Sequence, residues 1–356
     1  MKIAHVVDSM EVGGAETLVA QMCRKQREGG DAPAVFALDV LGPIGRQLCD
    51  EGFEVLSHLG GGLATGLLRI TGALRRFGPD VVHLHNPTPT TYGALPARLA
   101  GAKKVISTRH SLVAPPIDRL AEFKYALAGR LCDHIVGICE ATVRNLKSVQ
   151  PGLAARTSCI YNGAAGLTLS VDAQGRTDNE EVLVFVGRLA PVKNLPLLVK
   201  AFARAADEAS QLRLWIVGDG SERRALESLA AQLSLSRKVV FWGEQSDVAP
   251  FISAANALVM SSHSEGLPVS LLESFSLGVP AIVTDVGGMA EVVRLSGGGL
   301  VVPPGDSEQM AAAMVQLSVD EELRRRLSSL ANAAFVEKFS LQTMVDAYMT
   351  LYDPRD

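Results

Sequence analysis

The chain has 356 residues, of which 47% are apolar and only 5% aromatic. That length and composition suit two soluble globular domains or one large one, and no run approaches the ~18 uninterrupted apolar residues that a membrane-spanning helix needs. The net charge of −4 is unevenly shared: residues 1–165 hold 18 Lys+Arg against 14 Asp+Glu, and the remainder 16 against 24. A basic front half suits peripheral contact with anionic lipid or an anionic acceptor, or is an ordinary solvated surface. No basic stripe with interleaved aromatics is present, so nucleic acid is not an expected partner.

The elements alternate from the start. MKIAHVVDSM is broken by Asp8, which makes it a poor signal peptide and a good first strand. The stretches APAVFAL, FEVL, DVVHLH, KKVIS and HIVGI follow as strands. ETLVAQMCRKQREGG, GLLRITGALRRFG, YGALPARLAG and RLAEFKYALAGRL read as the helices between them. Residues 164–181, polar and glycine-rich, read as a linker. The alternation then restarts with VLVFVGR, LRLWIVGDG, KVVFWG, ALVMS and PAIVTD as strands and LPLLVKAFARAADEA, ERRALESLAAQLS, EQMAAAMVQL and EELRRRLSSLANAAFVEKF as helices. The expected fold class is α/β, with two Rossmann-like doubly wound parallel-sheet domains facing across a cleft. Residues 1–165 form one and 166–340 the other, and a last helix at about 341–356 packs back on the first. Five cysteines without a CxxC pair point to a reducing cytoplasm. Peripheral attachment at the inner face of the membrane would fit the basic front half.

Four motifs stand where strands end or helices begin. Gly13-Gly14-Ala15-Glu16 opens the first helix and suits an anion, or is a plain strand–helix turn. In Gly187-Arg188-Leu189-Ala190-Pro191-Val192-Lys193-Asn194, two cations lie at a helix entrance that is already positive. They make sense with an anion such as a diphosphate between them. Gly218-Asp219-Gly220 permits a tight turn. In Ser264-Glu265-Gly266-Leu267-Pro268-Val269-Ser270-Leu271-Leu272-Glu273, Pro268 suits a first helical position, and Glu273 falls among apolar residues, where a carboxylate is costly without a partner. Glu265, in the preceding loop, would address another part of the same elongated ligand. His83 and His85 share one strand face. No third ligand stands out beside them, so no metal site is expected there, and polar residues at the mouth of the cleft are the simpler reading. His5, His58, His134 and His263 receive no role. No Asp-x-Asp occurs.

In this order, GGAE, GRLAPVKN, GDG and SEGLPVSLLE followed by GVPAIVTDVGGMAEVV resemble the family 4 (group 1) glycosyltransferases of the GT-B fold. The resemblance implies a retaining, metal-independent transfer of a hexosyl-type sugar from a nucleoside diphosphate sugar, UDP ahead of GDP, to a hydroxyl of a glycan or lipid-linked acceptor. Polysaccharide assembly at the cell surface would be its setting. The nucleotide-sugar is a co-substrate, and no other cofactor is implied. Arg188 and Lys193 would bind the leaving diphosphate, Glu265 the sugar hydroxyls and Glu273 the ribose. Gly13, Gly14, Gly187, Gly218, Gly220, Gly266 and Leu267 would complete the donor site. His110, in VISTRHS, would lie beside the transferred sugar, with the acceptor held by the front domain. The chain departs from the family pattern at Asn162-Gly163-Ala164-Ala165, which lacks an acid, at Val192 before the lysine, and at Ser111 after His110. A nucleotide-sugar 2-epimerase and a non-catalytic nucleotide-sugar-binding subunit are the competing readings. The GRLxxxKN and EGLPxxxxE pairing speaks against the first.

Overall fold

The computed structural model describes residues 1–113, 116–168 and 180–353. The chain forms two units, Met1–Gly163 with Leu341–Asp356, and Ala164–Ser340. The linker expected at 164–181 falls mostly on 169–179, outside the described residues. Its first residues belong to the second unit, where the Leu167 amide donates to Ser276 Oγ at 3.1 Å.

The first unit carries strands β1 (Lys2–Val7), β2 (Ala32–Ala37), β3 (Glu54–Leu56), β4 (Val81–His85), β5 (Lys104–Arg109), β6 (His134–Gly137) and β7 (Thr157–Cys159). They pair in the order β3-β2-β1-β4-β5-β6-β7, all parallel. Parallel strands need crossovers, and helices supply them on both faces, so the strands read as near-continuous apolar runs. Five of the six residues of β1 and all five of β4 are buried. The helix Leu341–Tyr352 also belongs to this unit. Its Tyr348 and Tyr352 hydroxyls hydrogen-bond Thr108 Oγ1 at 2.9 Å and His83 Nδ1 at 2.6 Å.

The second unit carries β8 (Glu181–Val186), β9 (Leu212–Val217), β10 (Val239–Gly243), β11 (Ala257–Met260), β12 (Ala281–Thr284) and β13 (Gly299–Val302). Their order is β10-β9-β8-β11-β12-β13, again parallel. Leu198 and Phe202 of helix Leu195–Glu208 share a core with Met310 and Met314 of helix Ser307–Val319 and Leu214 and Ile216 of β9. Each such side chain contributes roughly 1.5–3 kcal/mol on burial.

These topologies place the functional loops. Strand order reverses between β1 and β4 in the first unit and between β8 and β11 in the second. Successive crossovers depart to opposite sides there, which leaves a crevice beyond the carboxyl ends of those strands. The loops after β1, β8 and β11 hold most of the residues singled out from sequence.

Candidate active site

In the second unit, β8 ends at Val186 and the chain runs through Gly187 and exposed Arg188 into a short turn, Pro191–Lys193, before helix Leu195–Glu208. Lys193 therefore stands at the helix entrance. The loop after β11 is laced to that turn. Ser261 Oγ donates to the carbonyls of Lys193 and Asn194 at 2.9 and 3.0 Å, and the His263 amide donates to Val192 O at 2.9 Å. This lacing brings Glu265 to Lys193, 72 residues away in sequence, and the two form an ion pair. Ser262 Oγ donates to the same carboxylate at 2.9 Å. The Gly288 amide donates to Gly266 O at 2.7 Å, which ties the loop to the next helix, Gly287–Ser296. Gly266 and Leu267 are buried in that arrangement. Arg188 has no ion pair among the described residues.

The glycines of GDG have a reason internal to the fold. A Cβ on Gly218 would lie 2.0 Å from Gly187 O, and one on Gly220 would lie 2.4 Å from Leu189 O. The Asp219 carbonyl accepts from the Leu189 amide at 2.9 Å. The GDG turn is thus the backing that holds the Gly187–Leu189 loop in place.

The chain after Glu265 turns at Pro268, which caps helix Val269–Ser276 from the extended region (φ −66°, ψ 134°) rather than occupying its first turn. Glu273 lies on this helix. Burial pushes its carboxyl up to about 7. No hydrogen-bond or ion-pair partner for that carboxyl exists among the described residues. The apolar neighbours read from sequence are there: Leu271, Leu272 and Phe275 are fully buried.

In the first unit, His110 follows β5. Its backbone amide donates to Asn86 Oδ1 at 3.2 Å. Asn86, just after β4, is held at φ 78°, a conformation unusual for a residue with a side chain. The His110 ring meets His85, Nε2 to Nδ1, at 3.1 Å, and its own Nδ1 is buried without a partner among the described residues. Gly13 caps helix Gly14–Glu28 in extended backbone, with Glu16 Oε2 2.2 Å from where a Cβ would lie. Beside it Asp8, at the end of β1, is pushed up to about 6, chiefly by burial. A Thr88 hydrogen bond opposes the shift, and Glu16 and Asp39 add to it. Three carboxyl groups around this loop work against a phosphate there and suit a ligand that donates hydrogen bonds.

Residues 12–164 match the family described as Glycosyltransferase Family 4, and residues 170–333 match the one described as Glycosyl transferases group 1. The chain is a group 1, family 4 glycosyltransferase. It is 27% identical over 289 residues to the N-acetyl-alpha-D-glucosaminyl L-malate synthase of Bacillus anthracis, covering 77% of this chain and 74% of that one. It is 37% identical over 170 residues to the lipopolysaccharide core biosynthesis glycosyltransferase LpsE of Rhizobium meliloti, about half of each chain at 48% and 49%. The crystal structure of Anabaena HepE in complex with UDP superposes with a TM-score of 0.86 at 20% identity, over 99% of both chains. The glycosyltransferase thus has the GT-B fold.

The front unit of the glycosyltransferase corrects the reading of its histidines. His83 and His85 are not at a mouth; they are 0% and 2% exposed. A third histidine does join them. Parallel pairing sets His5 of β1 directly against His83 of β4, and ligand atoms of His5, His83 and His85 lie within 4.8 Å of one another. Every ring nitrogen of the three is already engaged: His5 with His85 and Gln26, His85 with His5 and His110, His83 with Tyr352 and Thr108. A metal would have to break those bonds, so the trio is built as a hydrogen-bonded array. Sequence reasoning missed His5, Gln26, Asn86, Ser261 and Ser262. A histidine in the middle of the apolar run IAHVV was the one available signal.

Proposed function

We propose that the protein is a retaining, metal-independent transferase that moves a sugar from a nucleoside diphosphate sugar, with UDP as the nucleotide, to a hydroxyl of a glycan or lipid-linked acceptor in polysaccharide assembly. The observation that carries this is Glu273. The residue is half-buried, and a carboxyl group pushed up to about 7 with no partner among the described residues is completed by ligand hydroxyls, of which a ribose offers two on adjacent carbons. Lys193 and Glu265, paired with each other, stand where β8 and β11 deliver them to the switch point. On this reading Lys193, with Arg188, turns to the diphosphate, and Glu265 is released to the sugar hydroxyls. The acids around Gly13 and Gly14 leave the diphosphate to the two cations. Support for the nucleotide comes from relatives: HepE was solved with UDP and with UDP-glucose, and a matching Escherichia coli enzyme is named for a UDP-Gal donor.

In the reaction the bond from the anomeric carbon to the phosphate oxygen breaks as the acceptor oxygen bonds to the same face. The acceptor proton passes to a donor phosphate oxygen. The chain then needs no nucleophile of its own, and its contribution is charge stabilisation of the leaving diphosphate. A thermal-shift panel of UDP, GDP and ADP sugars tests the reading, because a ligand stabilises the state that binds it. The UDP sugar is expected to raise the melting temperature of wild type and leave that of Glu273→Leu unmoved. A response to none of the three, or an equal response in both proteins, would reject it.

A lipid-linked acceptor requires a surface that meets lipid. Among the described residues no helix is long and apolar enough to cross a membrane. Helix Arg119–Gly129 buries Tyr125 and Ala128 but is also apolar on its outer face. It turns Glu122 inward onto Arg109, at 2.6 and 3.1 Å, and leaves Leu120, Phe123 and Leu127 exposed at 62%, 67% and 57%. Those three positions share one helix face. Arg119, Lys124 and Arg130, also exposed, flank them. Apolar anchors edged by cations fit an anionic bilayer surface. Phe123→Glu with Leu127→Glu is expected to lower sedimentation with phosphatidylglycerol vesicles by roughly tenfold or more. Equal recovery of wild type and variant with those vesicles would remove the membrane from the proposal.

A further inference from the structure

The buried histidines of the first unit form a row with a direction. Gln26 Oε1 meets His5 Nε2 at 2.8 Å, His5 Nδ1 meets His85 Nε2 at 3.0 Å, and His85 Nδ1 meets His110 Nε2 at 3.1 Å. The row ends at His110 Nδ1, which is buried and has no partner among the described residues. Burial pulls His5 and His110 down to about 4 and His85 well below its ordinary value, so all three rings are neutral near pH 7. A neutral imidazole has one N–H and one lone pair. Three such rings in series therefore share a single polarity, and whichever group meets the first decides the last. Gln26 is placed with its amide oxygen toward the ring, which leaves its Nε2 buried without a partner among the described residues; the opposite amide placement would reverse the row. His5 Nε2 must then donate, His5 Nδ1 must accept from His85 Nε2, and His85 Nδ1 must accept from His110 Nε2. His110 is left with a bare lone pair on Nδ1.

We propose that Gln26, His5 and His85 are positioning residues that hold His110 as an Nδ1 hydrogen-bond acceptor, aimed at a hydroxyl of the bound sugar. The second half of this rests on the reading of His110 as the residue beside the transferred sugar. His83 belongs to the packing, not to the row. Its ring lies 4.0 Å from that of His85, centroid to centroid, and its nitrogens are held by Tyr352 and Thr108, each at 2.6 Å. It packs on His85 with the two ring planes tilted by 33° and does not join the row.

A hydroxyl donor suits such an end better than a phosphate does. A lone pair repels an anion, while a sugar hydroxyl satisfies it and removes the cost of a buried, unmade hydrogen bond. The row also keeps the ring from turning over, since a flipped His110 would lose its bond to His85.

Nitrogen-15 NMR of the full chain labelled at histidine reads the tautomer directly. In wild type without substrate, His110 Nδ1 is expected at a pyridine-type shift and Nε2 at a pyrrole-type shift. In Gln26→Met, which keeps the side-chain volume but removes the acceptor, both nitrogens are expected to move toward averaged values, and kcat to fall roughly tenfold. A pyrrole-type Nδ1 in wild type would overturn the proposal, as would an unaltered tautomer in Gln26→Met. The wild-type spectrum alone decides the polarity should the variant not fold. His110→Ala separates the two layers. Full transfer by that variant would discard the placement of His110 beside the sugar and leave the row standing. A wrong tautomer with an inactive His110→Ala would discard the row and leave the placement standing.

Discussion

Lys193→Ala is expected to lower kcat for sugar transfer by about 10²–10³-fold, the usual consequence of removing one preorganised group that stabilises charge developing in a transition state. Lys193 has the placement for that loss. Its side chain is only 17% exposed and its partner Glu265 14%, so the charge acts through a medium much less polar than water. The same pairing creates a structural effect that has to be separated from the chemical one. Without the lysine, Glu265 keeps only Ser262 Oγ as a hydrogen-bond donor among the described residues, and stability should fall by roughly 1–3 kcal/mol, less than for a fully buried pair. The double variant Lys193→Ala with Glu265→Gln removes the stranded charge. It is expected to recover most of the melting temperature and none of the turnover. Turnover matching wild type in the single variant would reject Lys193 as the diphosphate ligand. Recovery of turnover in the double variant would show that the loss had been structural.

What could be read in advance followed from how local its cause was. Interior strands such as β1, β4, β8 and β9 are mostly β-branched and apolar because helices cover both faces, the histidines of β1 and β4 being the buried exceptions. The strands missed, β7 and β13, are short and lie at the sheet edges, where TSC and GLVV carry little pattern. Helices Gly42–Asp50, Glu140–Val149 and Gly287–Ser296 were missed because each is only two or three turns long. The site divides in the same way. Arg188, Lys193 and Glu273 were legible because each contradicts its local setting, as a cation at a helix entrance or an acid in an apolar run, while Glu265, in a loop, was legible only through its spacing from Glu273 and the family motif. The Lys193–Glu265 pair was not, since it needs β11 set beside β8. The histidine row was not either, since it exists only through the pairing of β1 with β4 and of β4 with β5.

Replacing Glu273 with Gln is expected to make the protein more stable and less able to hold its donor. Burial alone raises this carboxyl from an ordinary 4.5 to about 7. Between those values the folded state binds more protons than the unfolded state, so stability falls as pH rises from about 4.5 to about 7 and is level beyond. The accumulated cost above pH 7 is about 3 kcal/mol. Glu273→Gln has no charge to bury and should lack this slope, melting higher than wild type at pH 8 and close to it at pH 5. Donor binding should run the other way. Ribose hydroxyls donate to a carboxylate, so wild-type affinity for an intact nucleotide-sugar should rise through pH 7, where the sugar-bearing diphosphate itself does not titrate. The Gln variant should bind it roughly tenfold or more weakly at pH 8, the scale of losing hydrogen bonds to a charged group. A variant whose melting temperature follows wild type across this pH range would show that Glu273 finds solvent or a partner in solution. Undiminished donor affinity at pH 8 would take the ribose away from it. Both results as expected would mean that the fold tolerates a destabilising acid here because a ligand completes it.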